Sequence, residues 1–187
     1  MSRLTEDRLV ELFTGTLQLV AERGYDNVTM DQIAESTKSS KATLYRQWGS
    51  KSALVVEAMR CVGGVEDDLP DTGTLRGDLM ATIDRNEHHT KDPELLSAIL
   101  HAVRQDEELA DAVRTQILEP GRDRIRTVIG RAVDRGEVAA DCPALPFVDY
   151  VFIAPIILHH LIEGSEPESE FLRRYFDGVL LPALGIH

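Results

Sequence analysis

The stretch TMDQIAESTKSSKATLYRQW, residues 29–48, decides how this chain is read. Thr29, with Gln32 three residues on, fits a capping box, in which each side chain satisfies a backbone donor that a helix start leaves unpaired. A short helix is therefore expected from Met30, with Ile33 and Ala34 facing inward. Lys38 and Ser39 make a turn, and Ser40 can cap a second short helix, KATLYRQW. Short helix, tight turn, short helix is a helix-turn-helix unit.

The second of these helices can be tested by geometry. At about 100° per residue, Leu44 and Trp48 share one face, a natural anchor into a small core with Phe13, Ile33 and Leu54. The opposite face presents Ala42, Thr43 and Arg46, with Tyr45 to one side and Ser39 just before the helix. Small residues allow close approach, hydroxyls suit phosphate oxygens, and a guanidinium suits a guanine edge. Trp48 reads as packing rather than base stacking.

Working outward, TEDRLVELFTGTLQLVAERG (5–24) has a possible cap at Thr5. Its positions Leu9, Leu12, Phe13, Thr16, Leu17 and Val20 recur at helical spacing, and Gly24 supplies the stop. On the other side, Ser50 caps KSALVVEAMRCV, which fades at Gly63–Gly64. Charge sets this region apart. Residues 1–60 hold eight cations and eight acids, so the whole net charge of −12 resides in residues 61–187. Residues 36–56 contain Lys38, Lys41, Arg46 and Lys51 and no acid. The pattern suggests a small module that meets a polyanion and a larger body that does not, although a solvated basic helix face would leave the same trace.

The 187 residues are 43% hydrophobic and 28% charged, which suits a globular protein with one substantial core or a small module continuous with a larger one. Few aromatics and little strand-like alternation point to an all-α chain. The start MSRLTEDRLVELF lacks the apolar run of a signal peptide. The most apolar stretch, FVDYVFIAPIILHHLI (147–162), is interrupted by Asp149 and His159–His160 and is too short for a bilayer, so a buried helix is expected. Cys61 and Cys142 lie far apart with no metal-like spacing and read as reduced thiols. No Glu-x-x-His precedes any of His88, His89, His101, His159 or His160, and HExxH, GxSxG and phosphate-binding glycine loops are absent. The reading therefore names no catalytic residue, metal site or cofactor.

AERGYDNVTMDQIAESTKSSKATLYRQWGSKSALVVEAM (21–59) resembles the DNA-binding region of the tetracycline-repressor (TetR) family of bacterial transcriptional regulators. The resemblance runs over about residues 5–60. It rests on the Gly24–Tyr25 step, Thr29, Ile33–Ala34, Ser40-Lys41-Ala42-Thr43-Leu44-Tyr45, Trp48 where the family usually has Phe, Ser50-Lys51 and Ala53-Leu54. It implies that Thr29, Tyr45 and Lys51 hold phosphates. Ser39, Ser40, Lys41, Ala42, Thr43 and Arg46 are then at or near the groove. The chain departs from the family where Lys38-Ser39 replaces the frequent Gly-Val of the turn, and a non-Gly residue in a left-handed turn costs about 1 kcal/mol.

The remaining two thirds suit the same architecture: a DNA-binding domain over 1–52 and a helical effector-binding and dimerisation domain over 53–187. Helices are expected from near Thr74, and from Pro93 behind an Asp92 cap. A long helical region bent near Pro120–Gly121 should end at Gly136. By resemblance, the last two helices (about 147–163 and 167–184) pair with their copies in a homodimer, although a monomer whose last helix closed its own core would look similar. His101, Tyr150 and His159 are the candidate lining of a pocket for an unidentified small-molecule effector. The implied function is a cytoplasmic, ligand-responsive regulator, a repressor in the family's usual mode. It binds a palindromic double-stranded DNA operator on the bacterial nucleoid and has no membrane partner. Transcriptional activation, or a helix-turn-helix used for protein contact, are the alternatives.

Overall fold

Apolar residues at helical spacing, with side-chain caps at Thr29, Ser40, Ser50, Thr74, Asp92 and Asp106, produce a fold that is helical throughout the described residues. The computed structural model describes residues 5–63, 69–86 and 92–186. The elements are α1 (Glu6–Arg23), a 3-10 turn (Tyr25–Asn27), α2 (Met30–Ser36), α3 (Lys41–Trp48), α4 (Lys51–Val62), α5 (Leu75–Asn86), α6 (Pro93–Ala102) and α7 (Glu107–Val113). A π-turn (Arg114–Leu118), α8 (Glu119–Asp134), a 3-10 turn (Leu145–Phe147), α9 (Val148–Glu163), α10 (Ser169–Tyr175), a second π-turn (Phe176–Leu180) and α11 (Leu181–Ala183) follow. Gly64 and the His88–His89 pair, with the end of the helix expected from Thr74, lie outside the described residues.

Two compact units result. The first is drawn from Met1–Val65 and His89–Glu119. Its core joins Leu12, Phe13 and Val20 of α1 to Ile33, Leu44 and Leu54, and also to Ile99, Ala102 and Leu109. By packing, α6 lies on α1 and α7 lies on α4, so the helix-turn-helix shares a core with helices well beyond residue 52. Polar ties reinforce this: Tyr25 donates to the Asp106 carboxylate at 3.1 Å, and Ser52 donates to Glu108 at 2.5 Å. Burial first, and then the charge of Asp106, push the Tyr25 phenol far above its ordinary range, so it stays a neutral donor. Hydrogen bonds from the Ser50 and Ser52 hydroxyls hold Glu108 below the usual carboxylate range.

The second unit is drawn from Glu66–His88 and Pro120–His187. Leu75, Leu79, Ile83, Ile129, Leu172, Phe176 and Leu180 are among its core residues. The buried Asp78 accepts from the Thr72 amide at 2.6 Å, and the buried Asp149 accepts from Arg122 at 2.8 Å and Arg126 at 3.1 Å. Proline explains the irregular helices. Pro120 and Pro182 cannot donate to the residues four before them, Gln116 and Gly178, and both of those fall within the π-turns that widen the backbone ahead of each ring. The bend expected near Pro120–Gly121 is therefore a π-turn within a continuous helical run. Pro155 inside α9 is handled differently. It frees the Val151 carbonyl, which accepts instead from the Tyr175 hydroxyl at 3.1 Å.

The apolar stretch does not behave as its sequence suggested. The preceding 3-10 turn extends the run to Leu145–Glu163, 19 residues of mean hydropathy 1.7, long and apolar enough by those measures to cross a membrane. Nor is it buried: only Val148, Asp149 and Pro155 of α9 are. Apolarity marks a need for cover, and in a single chain the cover is missing.

The Pro155–Tyr175 pairing yields a cycle. Tyr175→Phe orphans the Val151 carbonyl and should lower unfolding stability by about 1 kcal/mol. In a Pro155→Ala background, where residue 155 regains its amide, the same substitution should cost close to nothing. Chemical denaturation of the four proteins measures the difference.

Candidate nucleic-acid interface

The second helix of the motif, α3, is held at both ends. Ser40 accepts from the Thr43 amide at 3.1 Å, and Gly49 (φ 78°) closes the other end with its amide on the Tyr45 carbonyl. Leu44 is fully buried, and Trp48 meets Phe13 edge-on with ring centroids 5.7 Å apart. Lys41, Ala42, Tyr45 and Arg46 are exposed. Arg46 makes no ion pair among the described residues, so its guanidinium is free to read a base edge. Leu44 and Trp48 thus anchor the helix as their shared face indicated.

The other expected contacts are partly engaged. The Thr29 hydroxyl accepts from the Gln32 amide while the Thr29 amide donates to Gln32 Oε1 at 2.8 Å, a complete capping box. The Ser40 and Thr43 hydroxyls face each other at 2.8 Å. Lys41 pairs with Asp31 at 2.8 Å on the open surface, and that hydrogen bond holds its ammonium pKa above the ordinary value. Exposed pairs of this kind are salt-screened and readily traded for a phosphate. Ser39 is half-buried, its hydroxyl 3.3 Å from the Thr37 carbonyl.

Lys51, expected to hold a phosphate, is already engaged within the protein. Its ammonium donates to the carbonyls of Tyr25 at 2.9 Å and Val28 at 3.0 Å and lies 3.8 Å from the centre of the Tyr25 ring. Burial pushes its pKa down, opposed by the charges of Asp26 and Asp106. As placed, the charge braces the 3-10 turn.

Sequence reasoning missed Arg8. The α2–α3 turn is a Schellman closure: Lys38 N–H bonds Glu35 O at 3.2 Å, Ser39 N–H bonds Ala34 O at 2.8 Å, and Lys38 is left-handed at φ 49°. Lys38 is the one non-glycine with positive φ among the described residues. From α1, Arg8 donates to the carbonyls of Thr37 and of Lys38, the latter at 3.3 Å. The signal available in the sequence was the missing turn glycine itself, which requires a compensating contact somewhere.

The three residues expected to line an effector pocket are in different settings. His101 lines a cleft of about 480 Å³ within the first unit, with Gly24, Asp26, Asn27, Glu94 and Ser97. Tyr150 and His159 belong to the second unit, where Tyr150 is exposed and His159 packs on Phe171 with ring centroids 4.3 Å apart.

Comparison with known proteins agrees with this geometry. Residues 12–58 match the model for bacterial regulatory proteins of the tetR family, and residues 69–179 match the tetracyclin repressor-like C-terminal domain. A DNA-binding transcriptional repressor TetR of Mycobacteroides abscessus is 33% identical over 179 residues, which cover 94% of this chain and 93% of that one. The biofilm operon negative transcriptional regulator IcaR of Staphylococcus aureus is 32% identical over 56 residues, 30% of this chain and 28% of its own. The crystal structure of the TetR family transcription regulator SCO0332 superimposes with a TM-score of 0.60 at 23% identity, covering 97% of this chain and all of that one.

Lys51→Ala should therefore lower stability by about 1–2 kcal/mol, from the lost charged hydrogen bonds and the ring contact. It should weaken binding to all DNA sequences alike while leaving the salt dependence intact. A salt slope shallower by about one would instead place Lys51 on a phosphate. Thermal melts and binding titrations from low to moderate salt read both.

Proposed function

The chain belongs to the tetR family of bacterial regulatory proteins, and from that premise we propose that it is a ligand-responsive transcriptional repressor that binds a palindromic operator as a homodimer. One observation carries the reading: Leu44 and Trp48 are the core anchors of α3, and its exposed face carries Arg46 with no ion pair among the described residues, in a stretch, 36–56, without an acid. Ala42 and Thr43 face the groove beside Arg46. Thr29 and Tyr45 hold phosphates, and Ser39, Ser40 and Lys41 lie at or near the groove, where Lys41 exchanges Asp31 for DNA. Lys51 contributes by bracing the turn below α2. The acidic remainder of the chain repels DNA and confines contact to this strip. Operator binding sets the work of the protein in the bacterial cytoplasm.

A two-turn helix reads only a few base pairs, so useful selectivity needs two copies on two half-sites. The uncovered face of α9 supplies the means. Leu161 is 80% exposed, Ile162 72% and Tyr150 70%, and Phe171 of α10 and Val179 of the second π-turn are exposed too. A second copy of the same helices offers the same apolar surface, as a two-fold interface requires. The His159–His160 pair argues against lipid as the covering phase. The effector is a small molecule, and the cleft that His101 lines within the first unit is its candidate site. It must bind the DNA-competent and DNA-incompetent arrangements unequally.

Selection of genomic fragments by the purified protein, followed by sequencing, should enrich a palindrome. A folded protein that enriches nothing with or without cell metabolites would instead indicate a protein-contact role. On the recovered site, Arg46→Ala should keep fold and dimer yet lose about 1–3 kcal/mol of discrimination between matched and scrambled DNA. Leu161→Glu should convert the dimer to monomer in sedimentation and abolish binding to the full palindrome. A variant that stays dimeric would move the interface elsewhere.

A further inference from the structure

We propose that Arg8 is a positioning residue for the reading helix: it secures a turn in which lysine replaces glycine, and so frees Lys38 to add a phosphate contact. The inference rests on the operator-binding reading and names a part of that site. A left-handed C′ residue is ordinarily glycine, because a Cβ there crowds the following carbonyl. Here the residue is Lys38 at φ 49°. The guanidinium of Arg8 reaches across from α1 to the carbonyls of Thr37 and Lys38, the two peptide groups whose orientation defines the turn. It is steadied on its own helix by Glu11, 2.8 Å away one turn on. One nitrogen of the Arg8 fork (Nη2) thus donates to both peptide groups and fixes them in the strained conformation, while the other (Nη1) holds Glu11, and Ser39 and Ser40 follow directly into α3.

What the lysine adds is charge. Lys38 is exposed, has no acid partner among the described residues, and stands at the tip of the turn between α2 and α3. Glycine there would relax the backbone and contribute nothing to a polyanion. Lysine contributes one more cation to the strip, on condition that something else holds the turn.

Four proteins test this: wild type, Arg8→Ala, Lys38→Gly and the double variant, each assayed as an intact dimer well below its melting temperature. Lys38→Gly should keep sequence discrimination and make the salt slope of operator binding shallower by about 0.9, the loss of one phosphate contact. Arg8→Ala should bind the matched site about tenfold more weakly and speed hydrogen exchange at the Ser39 amide, which closes the turn. The double variant should recover the affinity and the Ser39 protection of Lys38→Gly alone, since a glycine turn needs no clamp. Arg8→Lys, which keeps charge without the fork, should fall between wild type and Arg8→Ala. Two outcomes overturn the proposal: a double variant as weak as Arg8→Ala, or an Arg8→Lys variant equal to wild type, which would make Arg8 a direct phosphate contact. Ser39 exchange requires no DNA. If the wild type bound no operator while Arg8→Ala still loosened Ser39, the operator reading would fail and the clamp would stand. Unchanged exchange would remove the clamp.

Discussion

The reading helix depends on one buried side chain. α3 has eight residues, too few to be helical alone in water, and Leu44 is its one buried residue. Trp48 adds a half-buried second hold against Phe13. Nearly all its order is therefore borrowed from the Ser40 cap, the Gly49 stop, the turn clamped from α1, and the core beneath. Borrowed order has a functional consequence. A helix stabilised by its own packing would need apolar residues around more of its circumference, whereas this one can offer the rest of its surface to a ligand.

The same logic governs charge. Within the basic strip the cations differ in how tightly the protein holds them. Arg46 and Lys38 have no acid partner among the described residues, Lys41 has an exposed partner, and Lys51 is committed to two carbonyls and an aromatic ring. Counting cations from sequence treats the four as equal. Only those that give up little when they leave their present surroundings strengthen binding to a phosphate, because a buried, hydrogen-bonded ammonium must first lose what already satisfies it.

Local chemistry was therefore legible and remote partners were not. The Thr29–Gln32 box, the caps at Ser40, Ser50 and Asp92, and the left-handed position at Lys38 all involve residues a few places apart, and each is present. Arg8 lies about thirty residues from the turn it holds, and Lys51 more than twenty from its carbonyls. No periodicity announces such pairs. Pro155 was visible, but the donor that repairs its gap, Tyr175, arrives from another helix. The apolar stretch at 147–162 shows a third kind of shortfall. Hydropathy records that a surface avoids water and is silent on whether the same chain covers it.

The packing of the first unit also bears on how a ligand could reach the DNA. The reading helix does not stand on a freely moving head. Its supports α1 and α4 share a core with α6 and α7, and two polar bonds cross the same seam, Tyr25 to Asp106 and Ser52 to Glu108. Asp106 and Glu108 sit in the first turns of α7, with Asp106 as its cap, so a shift of that helix carries both acceptors together. α1 and α4 must then follow or lose two hydrogen bonds to charged groups, and following moves Leu44's socket. An effector need not touch the basic strip. It is enough that it favours a different placement of α6 and α7, and the shared core converts that preference into a displaced reading helix.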